Sequence, residues 1–189
     1  QSNILAFSPL AVELADIFRI IPEDKIVTKL QKTDGRGPKG FKASQLFRVF
    51  VASYYLNFDS IAQTVREIQN NPALALVCEL EPGRIPSRPT LSRFFTKLSD
   101  NSDLLQAALG SLTNRMREKL PDFGQHVAID SSTVRTHSNP DRKPRADLDA
   151  SWTAKGYKTG SNQKQWAFGM KLHLAVDAVY ELPISMYVT

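Results

Sequence analysis

Cysteine is nearly absent from this 189-residue sequence: Cys78 stands alone. One thiol forms no intrachain disulfide and no cysteine-based zinc site. It lies in the apolar run 73–80, which makes it a buried free thiol of a chain suited to a reducing cytoplasm. Histidine is scarce as well, and His126, His137 and His173 are too scattered for zinc-ligand spacing. No stretch approaches the apolar length of a membrane span. Gln1-Ser2-Asn3-Ile4 lacks the basic segment that opens a signal peptide. An initiator methionine is missing too, and the chain ends on the apolar, strand-like residues 184–189; both features are read as signs of a fragment. What the sequence does have is a modest excess of positive charge. Its 24 basic and 19 acidic residues give +5 and a pI near 9.4, a mild pointer to a polyanionic partner.

The first two-thirds read as helix. Ser8-Pro9 is a helix start, with Leu10, Leu14, Ile17, Phe18 and Ile21 at helical spacing behind it. Pro22 ends that helix and a short amphipathic piece follows to Leu30. Residues 31–42, glycine-rich and basic, read as a mobile loop. Ala43, Leu46, Phe47, Phe50, Val51, Tyr54 and Tyr55 form a wide apolar stripe, read as core with part of it available as a dimer surface. Asp59 or Ser60 caps a helix carrying Ile61, Val65 and Ile68, and residues 73–80 form a short buried helix. A helix opened by Ser87 or Thr90 buries Leu91, Phe94, Phe95 and Leu98. The last helix runs from about 103 to 120, with Leu104, Leu105, Ala108, Leu112 and Met116 inward.

At Pro121 the period changes. Residues 126–130 are a β-branched run ending on Asp130, read as a strand. Residues 131–165 are polar, basic and aperiodic, and read as a long loop. Phe168, Met170, Leu172, Leu174 and Val176 then alternate with Gly169, Lys171, His173, Ala175 and Asp177, the period of a half-buried strand. A turn over 179–182 leads to a third strand over 183–188. Helices first and strands later imply an α domain followed by the start of an α+β or α/β domain. The division falls at 1–122 and 123–189, and three strands leave an open edge.

Val127-Ala-Ile-Asp-Ser-Ser132 resembles the first catalytic strand of the DDE transposases of bacterial and archaeal insertion sequences. Gly169-Met-Lys-Leu-His-Leu-Ala-Val-Asp177 with Glu181-Leu-Pro183 is similar to the hairpin that follows it in that family. Ala146-Asp-Leu-Asp-Ala-Ser-Trp152 resembles a stretch of the intervening loop. Asn71-Pro72 and Arg88-Pro-Thr-Leu-Ser-Arg-Phe94 resemble the helical N-terminal domain. The ordered set carries more weight than any one match. It implies an α+β chain: a helical DNA-binding or dimerisation domain, then the antiparallel three-strand meander that begins a ribonuclease H-like fold. It also implies Mg²⁺- or Mn²⁺-dependent cleavage and joining of phosphodiester bonds by two Asp and one Glu. Of these the chain holds only Asp130; the later Asp and Glu fall beyond residue 189, so the chain alone is expected to be inactive and metal-free.

The chemistry explains why Asp130 is singled out. Two cations about 3.5–4 Å apart can activate an oxygen nucleophile and stabilise the leaving oxygen. Mg²⁺ takes hard oxygen ligands, and a central strand holds a carboxylate rigidly. Without the resemblance, Asp130-Ser-Ser is good turn chemistry; with it, Asp130 is a metal ligand and catalytic residue. Asp177 is the other tempting carboxylate. Antiparallel pairing would set it several residues away, at about 3.3 Å each, so it reads as a turn or cap residue. Asp141, Asp147 and Asp149 are second-tier ligands in the loop. His137 reads as a surface residue and His173 as a satisfied strand residue.

DNA contacts are expected in two places. From 135 to 171 the chain carries Arg135, Arg142, Lys143, Arg145, Lys155, Lys158, Lys164 and Lys171 against three Asp, interleaved with Trp152, Tyr157 and Trp166. Cations track a phosphate backbone and aromatic rings stack on bases; the bland alternative is a solvated loop. Arg88, Ser92, Arg93, Thr96 and Lys97 lie outward on a helix that resembles the second of a helix–turn–helix, although the connection before it is long. The resemblance implies terminal-repeat and target DNA as partners, together with a second copy of the chain, at the nucleoid. Two other classes stay open: a DNA-binding repressor derived from a truncated transposase, and a helical adaptor with a small β-extension.

Overall fold

The computed structural model describes residues 8–31, 40–81, 83–136, 138–143, 147–157 and 159–189. The expected loop over 31–42 falls mostly outside them. The chain forms two compact units, Gln1–Ala108 and Leu109–Thr189.

The first unit is helical: α1 (Pro9–Ile20), α2 (Asp24–Leu30), α3 (Ala43–Tyr55), α4 (Ile61–Asn70), α5 (Pro72–Val77), α6 (Arg88–Ser99) and the first part of α7 (Ser102–Lys119). Local chemistry sets most helix starts. Ser8 accepts from the Ala11 N–H at 3.4 Å, Ser60 from Gln63 at 3.2 Å and Asn71 from Leu74 at 3.1 Å, each meeting a donor that the first turn leaves unpaired. Pro9, Pro72 and Pro89 occupy first-turn positions, where a missing N–H is harmless. The core joins Leu14, Ile26, Val49, Ile68, Leu91 and Leu98, all with at most 1% of their surface exposed. Burying each such side chain contributes about 1.5–3 kcal/mol relative to leaving it in water. The α3 stripe is core as expected at Ala43, Leu46 and Phe47, half-buried at Phe50 and Val51, and exposed at Tyr54 and Tyr55, while Val49 and Ala52, outside the expected stripe, are buried too. Cys78 is fully buried, and burial pushes its thiol up to about 12, which leaves it unreactive at neutral pH.

A partly buried ion cluster ties this unit together. Arg48 on α3 bonds Glu23 at 2.8 Å and also pairs with Glu79, while its guanidinium lies 5.6 Å from the centre of the Phe18 ring on α1. Burial works against the charge, yet the hydrogen bonds and charges of Glu23 and Glu79 outweigh it and raise the guanidinium's pKa.

The second unit contains the end of α7 and four strands: β1 (Val127–Arg135), β2 (Ser151–Tyr157), β3 (Lys164–Asp177) and β4 (Pro183–Val188). All pairing is antiparallel and all of it runs through β3. Gly169 pairs with Arg135 of β1 and also with Ser151 of β2, so those two strands lie on opposite edges of β3. β4 shares the β2 edge further along, opposite β1. β1, β3 and β4 thus form the expected meander.

Two expectations are corrected here. The stretch 131–165 is not one long loop: it completes β1, contains β2 and begins β3. Asp130 does not close its strand, because β1 continues through Ser131, Ser132 and Thr133, which pair with His173, Leu172 and Lys171. Hydroxyl side chains suit a sheet face open to solvent, and the backbone ladder, invisible in local composition, decides the outcome.

Candidate functional site

Asp130 projects from the interior of β1, an edge strand of the sheet. Opposite Leu174, it shares a face with Ala128, Ser132, Leu172 and Val176, and these residues with Ile129 line a hollow of about 180 Å³. Met186 and Val188 of β4, opposite Leu174 and Leu172, extend the same face. The carboxylate is exposed. One oxygen accepts the Ser131 N–H at 2.7 Å, which fixes its orientation. The site is therefore a single aimed carboxylate on a largely apolar sheet face.

Asp177 takes the other role expected of it. Its partner is Val127, three residues from Asp130 along β1, and alternation puts the two carboxylates on opposite faces. Asp177 is also buried, at 1% exposure. One oxygen accepts from the N–H groups of Val179 (2.9 Å) and Tyr180 (2.8 Å), the other from Gly124 (2.6 Å). Gly124 sits at φ +87°, a conformation that glycine adopts without strain. The Tyr180 hydroxyl donates to the Pro121 carbonyl at 2.9 Å and its ring packs on buried Phe123, so the turn before β1 and the turn between β3 and β4 are locked together.

The Gly124 N–H foremost, then those of Tyr180 and Val179, hold the Asp177 carboxyl below the usual carboxylate range, with burial opposing them. The folded pKa is depressed. Its contribution to stability is therefore complete above the unfolded value of about 3.9 and is lost as pH falls through the folded value. Asp177→Asn presents a donor where an acceptor is needed. We expect a melting temperature lower by several degrees at neutral pH and a shallower loss of stability in acid, both read by thermal melts of the sheet across pH.

Lys171 pairs with Thr133 and so lies on the face opposite Asp130. There it lines a polar hollow of about 410 Å³ with Ser131, Ser132, Thr133, Thr153 and Ala154. Sequence reading missed this grouping. The hydroxyls at 131, 133 and 153 have the right alternation, but the strand that brings Thr153 beside Lys171 was not foreseen. His173 bonds the Thr189 hydroxyl at 3.2 Å, as a satisfied strand residue does. Arg135 ends β1, and Arg142 and Lys143 are exposed in the β1–β2 connection. Lys155 lies in β2, with its side chain outside the described part, as are Arg145, Lys158 and His137. Trp152, Tyr157 and Trp166 are all more than half exposed. Asp141, Asp147 and Asp149 remain in the connection. Among the described residues, no group of three His, Cys, Asp or Glu stands close enough to hold a metal. Arg88, Arg93 and Lys97 are exposed on α6.

Comparison with known families decides the identity. A family profile described as Transposase domain (DUF772) matches residues 2–97, just over half of the chain. A second, described as Transposase DDE domain, matches residues 121–189, the segment that contains Asp130 and the hairpin. The chain belongs to the DDE transposases of insertion sequences. In this transposase the first match covers α1 to α5 and most of α6, and the second covers all four strands. Searches of curated proteins and of solved structures gave no significant match. No helix among the transposase's described residues is long and apolar enough to cross a membrane.

Proposed function

We propose that this transposase cleaves and joins DNA strands at the ends of an insertion sequence by divalent-metal-dependent phosphodiester chemistry. Residues 1–122 would serve DNA binding or dimerisation, and residues 123–189 would begin a ribonuclease H-like catalytic domain. The carrying observation is Asp130, exposed and oriented on β1 of an antiparallel meander, within the segment matched as a DDE domain. The meander β1–β3–β4 has the order such a domain needs, and β2 is then an addition on the second edge.

Mg²⁺ or Mn²⁺ would supply Lewis-acid activation of the phosphodiester and its nucleophile. Asp130 suits such an ion as a hard oxygen donor with one oxygen not engaged by the Ser131 N–H. It is one ligand where several are required, and the described residues do not complete a site. Cleavage would need further carboxylates beside it.

DNA contacts are assigned to Arg88, Arg93 and Lys97 on α6 and to Arg135, Arg142, Lys143, Arg145, Lys155, Lys158 and Lys171 around the sheet. Because Lys171 and Asp130 lie on opposite faces, Lys171 serves a part of the DNA away from the reacting phosphate. The test uses transposase that is active on terminal-repeat DNA. Asp130→Ala should lower Mg²⁺-dependent cleavage of terminal-repeat DNA roughly a thousandfold or more while leaving DNA affinity unchanged. Cleavage that survives the substitution removes Asp130 from the mechanism.

A further inference from the structure

The helix α6 buries Leu91, Phe94 and Leu98 and exposes the opposite side. At about 100° per residue, Ser92 and Thr96 stand about 40° and 80° round from Arg88, and Arg93 and Lys97 about 140° and 180° round. The exposed arc therefore has a crest of short residues, Pro89, Ser92 and Thr96. Arg88 is on one shoulder, and Arg93 and Lys97 are on the other. No acidic residue lies between 87 and 99, and Arg88, Arg93 and Lys97 have no ion-pair partner among the described residues. A merely solvated helix face mixes long side chains of both signs in i,i+4 pairs. This face has one sign, and its long side chains are on the flanks.

That profile matches the DNA major groove, which is about 12 Å wide and admits one helix between two walls of phosphates. Short crest residues let the helix backbone approach the base edges, and flanking cations reach the walls. We propose that α6 lies in the major groove of a duplex. Ser92 and Thr96 face the base edges; Arg88 holds one phosphate wall, and Arg93 with Lys97 holds the other. Thr96 donates its hydroxyl proton to the Ser92 carbonyl at 3.1 Å. Its oxygen then accepts from an exocyclic amino group, and its methyl suits a thymine methyl. The inference rests on the DNA-binding reading above and adds which groove is entered and which residues read sequence.

The 189-residue chain is tested by fluorescence anisotropy on a short mixed-sequence duplex. Arg93→Ala with Lys97→Ala should weaken binding about tenfold at low salt and reduce the log–log salt slope by about 2. Ser92→Ala with Thr96→Ala should keep that slope but change which sequences are enriched from a random duplex pool. Methyl green, a major-groove ligand, should displace the protein, whereas distamycin, a minor-groove ligand, should not. All four side chains are exposed, and circular dichroism checks that the variants fold. Wild-type binding that is salt-dependent yet indifferent to the Arg93/Lys97 pair, or displaced by distamycin alone, overturns the placement of α6 and leaves DNA binding to the sheet cations. No salt-dependent binding by the wild type overturns the DNA-binding reading itself, and this placement with it.

Discussion

Gly169→Ala should abolish the sheet while leaving the helical unit folded. A Cβ at this position would overlap the Val134 carbonyl oxygen, come 2.9 Å from the Val134 carbonyl carbon and 3.0 Å from the Arg135 Cα. These are backbone atoms of β1 in register with β3, so no side chain can swing aside to make room. Ordinary overpacking of a core costs about 1–3 kcal/mol because neighbours relax. Here relief requires parting the ladder at the residue where β1 and β2 both meet β3. A loss above about 3 kcal/mol follows, a large share of what so small a unit holds in reserve. Both tryptophans, Trp152 and Trp166, lie in the sheet. Their fluorescence should therefore lose its cooperative thermal transition, while far-UV circular dichroism still reports melting helices. A normal tryptophan transition in Gly169→Ala would mean that β1 and β3 part easily at this point.

Arg48→Met should destabilise the other unit by about 1.5–3 kcal/mol, between the small value of an exposed pair and the 3–5 kcal/mol lost on breaking a fully buried one. Arg48 and Glu23 are each about one-fifth exposed, whereas Glu79 is half exposed and can turn to water. Losing Arg48 therefore strands chiefly Glu23, and it removes the cation beside Phe18. At about 4–8 °C per kcal/mol for a unit of this size, the helical melting transition should fall by roughly 10 °C. Arg48→Lys should recover only part of the loss, because an ammonium lacks the planar fork that serves two carboxylates at once. Full recovery by lysine would reduce the cluster to a single point charge.

What could be read in advance follows the range of the interactions. Ser8 and Ser60 announce their helices because a cap bonds an N–H three residues on. The face of α6 was legible because its period is local. β2 was not, since Ser151-Trp-Thr-Ala-Lys-Gly-Tyr157 lacks a clean apolar–polar pattern of β-branched residues and its pairing shifts register between Ala154 and Tyr157, where Gly156 takes φ +90°. Trp152, Thr153 and Tyr157 were the available hint. The continuation of β1 past Asp130 depends on residues about forty positions away, and so does the Asp177–Gly124 bond, across 53. Asp177 could be set apart from Asp130 because antiparallel pairing alone fixes that much. The hollow beside Lys171 needed the unforeseen strand.

Because every ladder in the sheet runs through β3, the order of synthesis matters. β1 leaves the ribosome some forty residues before its partner, and β2 also waits for β3. Neither can pair until residues 164–177 have been made, whereas the helical unit has all its contacts by residue 108. Chains grow at about 5–20 residues per second and domains fold N-terminal first. For a few seconds, then, the nascent chain carries a finished helical unit trailing a β1 whose Val127 and Ile129 have nothing to pair with. That interval is when this chain is most open to aggregation, and a pause in translation between β1 and β3 would lengthen it.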